Sequence, residues 1–141
     1  MITQTLTTSF KVELLQGVHN FGPTSADTFK IALYSSTAAL NADTTVYGTD
    51  GEITGTGYTA GGNTLTISTS PASGGTTAYV DFENSVWSSA SFTAAGALIY
   101  NSSKANRSVA VLNFGNDKTA SGTFTVQFPV ADATSAIIRI A

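Results

Sequence analysis

At 141 residues the chain has the length of one domain and can bury about 68–70% of its unfolded surface, enough for a sizeable core. Only 11% of its residues are charged, less than half the usual ~25%, and a net charge of −3 with six scattered Lys and Arg argues against a nucleic-acid partner. No cysteine is present, which excludes disulfides and thiolate sites, and no run approaches the ~18 apolar residues of a membrane span.

The first segment, Met1–Thr8, is polar, uncharged and without clear periodicity. It lacks the basic-then-apolar pattern of an export signal and reads as an extended arm, of a kind usually ordered only by a partner. Thr8 or Ser9 can then cap a short helix over Ser9–Gly17, with Phe10, Leu14 and Val18 on one face and Gly17 as its stop. A helix this short is marginal alone, so a face of Phe10, Leu14 and Leu15 is expected to dock on a sheet.

From Thr28 onward the pattern is of strands. Thr28–Tyr34 alternates Phe29, Ile31 and Leu33 with Lys30, Ala32 and Tyr34, and Ser35–Asp50 reads as a loop. The stretch GTGYTAGG, Gly55–Gly62, holds four glycines in eight residues and could be taken for a phosphate cradle. A dinucleotide fingerprint would need glycine where Ala60 stands, and a Walker loop would need a Lys where Asn63 and Thr64 follow the last glycine. The run Thr64–Ser68 behind it has period two and reads as a strand, so the glycines read as a turn.

Thr76–Glu83, Val86–Thr93, Ala97–Asn101, Ser108–Phe114, Gly122–Phe128 and Ser135–Ala141 follow at intervals of about 10–14 residues, divided by Gly74-Gly75, by Gly115-Asn116-Asp117 and by Pro129. Without helical crossovers, they predict a mainly β fold: an antiparallel β-sandwich of jelly-roll or Greek-key type, about eight strands and one short N-terminal helix, forming a single domain over residues 1–141 with residues 1–8 as an arm. Phe29, Leu33, Val80, Phe82, Leu98, Val111, Phe124 and Val126 are its expected core.

Chemistry-bearing residues are sparse. The one histidine, His19, lies beside Gly17, Asn20 and Gly22, where it reads as a polar cap rather than as the base of a hydrolytic triad. Asp43, Asp50 and Glu52 could hold a hard cation but match no calcium-loop spacing and read as solvated loop acids. Asp81, Glu83, Asp117 and Asp132 are the candidates for a glycosidase pair, with nothing to set two of them about 5–10 Å apart. Trp87, Tyr47, Tyr58, Tyr79 and Tyr100 could stack on sugars, yet aromatics on alternating strands are more often core or interface. Asn101-Ser102-Ser103 and Asn106-Arg107-Ser108 match a glycosylation acceptor by composition alone. No catalytic, cofactor-binding or metal-binding residue is assigned from the sequence.

Taken together, SFKVELLQGVHNF, DTFKIALYSS, GTGYTAGG, ALIYNSSKANRSVAVLNFG and GTFTVQFPVADATSAIIRIA resemble a group of small virion structural proteins of tailed bacteriophages, over almost the whole chain. The resemblance implies a β-sandwich subunit without enzymatic activity, either a head decoration (cement) protein bridging major capsid subunits or a tail or fibre component. In the second role Tyr47 and Tyr58 would be expected to contact host glycans. Such particles assemble in bacterial cytoplasm, which suits a chain without cysteine. The resemblance supplies no ligand motif, no cofactor and no membrane or nucleic-acid contact. A homotrimer is expected on separate grounds. Ile137, Ile138 and Ile140 make the C-terminal strand apolar on both faces with Arg139 its only charge, so it should be central in a sheet or covered by a neighbouring subunit.

Overall fold

In the computed structural model, which describes residues 1–141, the elements run β1 (Thr5–Leu6), α1 (Thr8–Leu15), β2 (Phe29–Tyr34), β3 (Asn63–Thr64), β4 (Ile67–Gly74), β5 (Thr77–Phe82), β6 (Ser85–Asn101), a 3₁₀ turn at Ser102–Lys104, β7 (Arg107–Val126) and β8 (Ile138–Ile140). Every strand pairing is antiparallel, in a five-stranded sheet ordered β1-β7-β6-β2-β3 and a three-stranded sheet ordered β4-β5-β8. The mainly β, two-sheet architecture with eight strands and one helix therefore agrees with the sequence pattern.

The strand boundaries differ in an instructive way. Val86–Thr93 and Ala97–Asn101 are one strand, β6, and Ser108–Phe114 and Gly122–Phe128 belong to one strand, β7. Gly115-Asn116-Asp117 does not reverse the chain. Ala94 pairs with Lys118 and Gly96 with Asn113, so residues 114–117 bulge out opposite the single residue Ala95. Gly96 allows a close approach: a Cβ there would meet the Leu112 carbonyl oxygen at 2.5 Å and the Ile2 side chain at 2.8 Å. The run Thr64–Ser68 is likewise divided. Thr64 ends β3 in the large sheet and Ile67 starts β4 in the small one, with Leu65 buried at the crossing.

The helix begins one residue earlier than expected, capped by the Thr7 hydroxyl, which accepts the Phe10 N–H. It ends as the sequence indicates: Gly17 is left-handed (φ +73°), its N–H bonds the Leu14 carbonyl and the Val18 N–H bonds the Glu13 carbonyl, closing a Schellman motif. Phe10 is fully buried, but Leu15 is 91% exposed and does not share the docking face expected of it. Successive helix residues are rotated by about 100°, so a face that turns Phe10 and Leu14 toward the sheet turns Leu15 away from it.

Between the two sheets lies the larger core, which takes in all eight phenylalanines, Phe114 at its margin. Phe21 stacks on Phe29 at 4.4 Å, Phe82 meets Phe128 at 5.6 Å, and Phe92 meets Phe124 at 5.1 Å. A second apolar cluster covers the opposite face of the large sheet, where Leu98, Val111, Ala32 and Tyr34 meet Ile2, Ala38 and Leu40. All eight expected core residues are buried, with Leu98 and Val111 in this second cluster.

The N-terminal residues are ordered by their own chain. The Met1 ammonium donates to the Ala38 carbonyl, Ile2 bridges Leu40, and Thr5 and Leu6 pair with Val111 and Ala110. The C-terminal strand β8 is not central: it forms an edge of the small sheet, with Ile138 buried and Ile140 56% exposed.

Candidate functional site

Three polar centres are built into this frame, and each is committed inward. The first surrounds His19, whose side chain is fully buried against Phe10. The Asn101 Oδ1 accepts the Ser103 N–H, so its Nδ2 is the donor to Asp27 Oδ2 (2.8 Å) and His19 Nδ1 (2.9 Å). His19 Nε2–H then donates to Glu13 Oε1 at 3.0 Å, and Arg107 and Lys104 close the two ends on Glu13 (3.1 Å) and Asp27 (2.7 Å). Burial alone would raise the Asp27 carboxyl, but the Lys104 ammonium, the Asn101 amide and the Asn20 N–H hold it below the usual carboxylate range. With both ring nitrogens engaged, His19 has no lone pair to offer a nucleophile. It ties α1 to the β6–β7 turn as a buried node rather than capping a helix end.

The second centre is Glu52. Its Oε2 accepts the Tyr47 hydroxyl (2.7 Å), and its Oε1 accepts both the Tyr58 hydroxyl (2.6 Å) and the Gly61 N–H (2.7 Å). The Gly61 carbonyl accepts the Tyr100 hydroxyl. The glycine run is thus pinned by an internal carboxylate. Its turns follow the strands closely: a Cβ on Gly62 would stand 1.8 Å from the Ile31 carbonyl oxygen, and one on Gly57 2.7 Å from that of Ser89. Burial and then the Glu52 charge raise the phenols of Tyr34, Tyr47 and Tyr58 well above their usual range, and push Tyr100 up to about 12. Tyr47 stacks on Tyr100 at 4.6 Å, and Tyr58 lies between Trp87 and Phe92. Four of the five rings considered as a sugar platform therefore pack on other rings, while Tyr79, half-buried on β5, has no ring partner.

The third is Asp81, fully buried on β5. Its Oδ1 accepts the Phe82 N–H at 2.9 Å and its Oδ2 has no hydrogen-bond partner. Burial raises this carboxyl, with the Asp132 charge adding to the effect. Asp132 itself turns back to the Thr134 and Ser135 N–H groups, which hold it below the usual range.

The remaining candidates stay apart. Asp43 and Asp50 line one open hollow without Glu52, and no group of three His, Cys, Asp or Glu residues assembles anywhere in the chain. Glu83 is exposed in the turn between β5 and β6, and Asp117 is exposed in the bulge of β7. Asn101 is buried and bonded through its side-chain amide, closed to a glycosyl group, while Asn106 is exposed at the β6–β7 turn.

The free chemistry lies on the surface instead. Beside α1, the apolar face of β5 and β8 runs past the helix into a hollow of about 110 Å³ bounded by Leu14, Phe21, Pro71, Tyr79, Val80 and Ile140. Ile140 on its rim is exposed, as is Leu15, the helix residue that follows Leu14. Such a rim offers burial and no reactive group. The chain matches no protein-family model, and no curated protein or solved structure is similar to it.

Proposed function

We propose that this protein is a structural subunit of a tailed-bacteriophage particle, working as a head decoration protein that joins neighbouring capsid subunits and assembles as a homotrimer. Its support is the α1–β8 rim. The exposed Ile140 at an edge strand and the apolar hollow beside it form a surface that suits coverage by a neighbouring subunit, with the exposed Arg139 as the only charge on that edge. Burying Leu15 and Ile140 contributes about 1.5–3 kcal/mol each, a useful share of a closed trimer's interface. The N-terminal arm no longer counts toward this reading, because residues 1–6 are held in cis.

Location in a tail or fibre is the second reading. The expected route to host glycans through Tyr47 and Tyr58 loses its support, since both hydroxyls are held by Glu52 and Tyr58 is enclosed by other rings. Mass spectrometry of purified particles, a reconstruction of their heads and sedimentation of the free chain test the proposal together. We expect the chain on the head surface in three-fold groups and a trimer in solution. A monomer at all concentrations together with its absence from particles would overturn it.

A further inference from the structure

The geometry points to a second docking site, independent of the virion assignment: the free edge of β7 takes an extended segment of another polypeptide as an added strand. On that side of β7, β1 covers only Ala110 and Val111. The next N–H groups are plugged by side chains, Asn113 by the Gln4 Oε1 at 3.0 Å and Gly115 by the Asn113 Oδ1 at 2.8 Å. Beyond the bulge, Lys118–Val126 pairs with β6 on one side and with no strand on the other. The nine residues, with a register shift between Gly122 and Phe124, leave at most roughly 30 Å of edge with no strand beside it.

Directly beneath this edge, the space between the two layers opens as a groove of about 520 Å³ over Leu112, Phe114, Phe124, Phe128, Pro129 and Ile137. A strand laid along β7 would satisfy the main-chain groups and place alternate side chains on that apolar floor, which is the physics of β-strand addition. Lys118 is the one charged residue at the groove, in a molecule of net charge −3. It calls for an acidic residue in the incoming segment, flanked by apolar residues at alternate positions.

A second copy of this chain fits poorly. Its β8 would bring Arg139 toward Lys118, its β4 carries Pro71 and two register breaks, and its β7 has already turned Ala120, Phe124 and Val126 into its own core. The occupant is therefore an extended segment of a different protein.

The test uses the full chain and three end-blocked nine-residue peptides of alternating Val and Thr: one with Asp at the centre, one with Lys there, and the Asp peptide N-methylated at every residue. Calorimetry and amide chemical shifts report binding. The Asp peptide is expected to bind saturably with Kd below about 1 mM, shifting amides between 112 and 129, and the N-methylated peptide not at all. Lys118→Glu should weaken the Asp peptide at least tenfold and favour the Lys peptide; Lys118→Gln should weaken it less. Leu15→Ser, at the rim assigned to trimer contacts, should leave peptide binding unchanged, so failure of the trimer and failure of this site are separable. Absence of saturable binding, binding indifferent to N-methylation or to Lys118→Glu, or protection of the 118–126 amides by raising protein concentration without peptide would each overturn the proposal.

Discussion

A buried carboxylate oxygen without a partner is an unusual thing for a fold to keep, and Asp81 Oδ2 is one. Because burial lifts this carboxyl above the usual range, the folded chain holds a proton in a pH window where the unfolded chain has released it. Stability from this group is complete at acid pH, falls as pH rises through that window, and stays low at neutrality. Asp81→Asn keeps the acceptor for the Phe82 N–H and removes the charge, so it should raise stability at pH 7 by about 1–3 kcal/mol and abolish this falling limb in urea titrations. Asp27 has the opposite sign. Its lowered carboxyl contributes stability above the usual carboxylate range that is lost as pH falls through its folded value, a loss Asp27→Asn should not show. His19→Ala removes one hydrogen-bond partner from Glu13 and one from Asn101 and empties the space beside Phe10, and should cost about 1–3 kcal/mol, read by thermal melting. Nitrogen shifts of the wild-type ring should show Nδ1 bare and Nε2 protonated.

Among the elements, Gly62 at the end of the glycine run and Gly75 in the β4–β5 turn show two uses of one residue type. Gly62 combines φ +75° with a backbone contact that no side chain could enter, whereas Gly75, at φ +61°, faces open space. Gly62→Ala is expected to cost more than about 4 kcal/mol or prevent folding, and Gly75→Ala about 1–2 kcal/mol, compared by urea melts of the two variants. The difference cannot be read from the sequence, because it depends on Ile31 lying across the chain from Gly62. Strand content and core identity were legible, since period-two alternation and β-branched residues are local signals: β2 and β5 follow the pattern almost residue for residue. The continuity of β7 was not. Gly115-Asn116-Asp117 has the chemistry of a reversal, and only pairing of both its flanks with β6 decides that it bulges instead. The polar centres were illegible for a related reason: Asn101 meets His19 across 82 positions of chain, and Glu52 draws its donors from loops without periodicity.

For the molecule as a whole, the apolar residues left outside are more informative than those within. Val130 (70% exposed) adds to Leu15 and Ile140, and none of them supports the monomer's own core. Leu15→Ser and Ile140→Ser should each weaken self-association at least tenfold in sedimentation while shifting the monomer's stability by no more than about 0.5 kcal/mol. A matching loss of monomer stability would mean that these side chains serve the fold rather than an assembly. Composition hinted at surfaces of this kind through the shortage of charge, but which positions face outward follows only from the edge placement of β8 and the rotation of Leu15 away from the docked face of α1.

The placement of β7 also bears on how the chain matures during synthesis. Both β1 and α1 precede β7 in the chain, yet both rest on β7, and β6 has only the short β2 beside it until β7 arrives. Ribosome-bound chains that end before Val126 therefore hold β1 and α1 without the strand on which both rest, tethered only through Met1–Thr3 and Thr8 to residues 38–42. Limited proteolysis of stalled chains should show cleavage across residues 5–20 until β7 has cleared the exit tunnel and protection soon after. Protection of that segment in a chain stalled at residue 100 would mean that something other than β7 first holds the amino terminus.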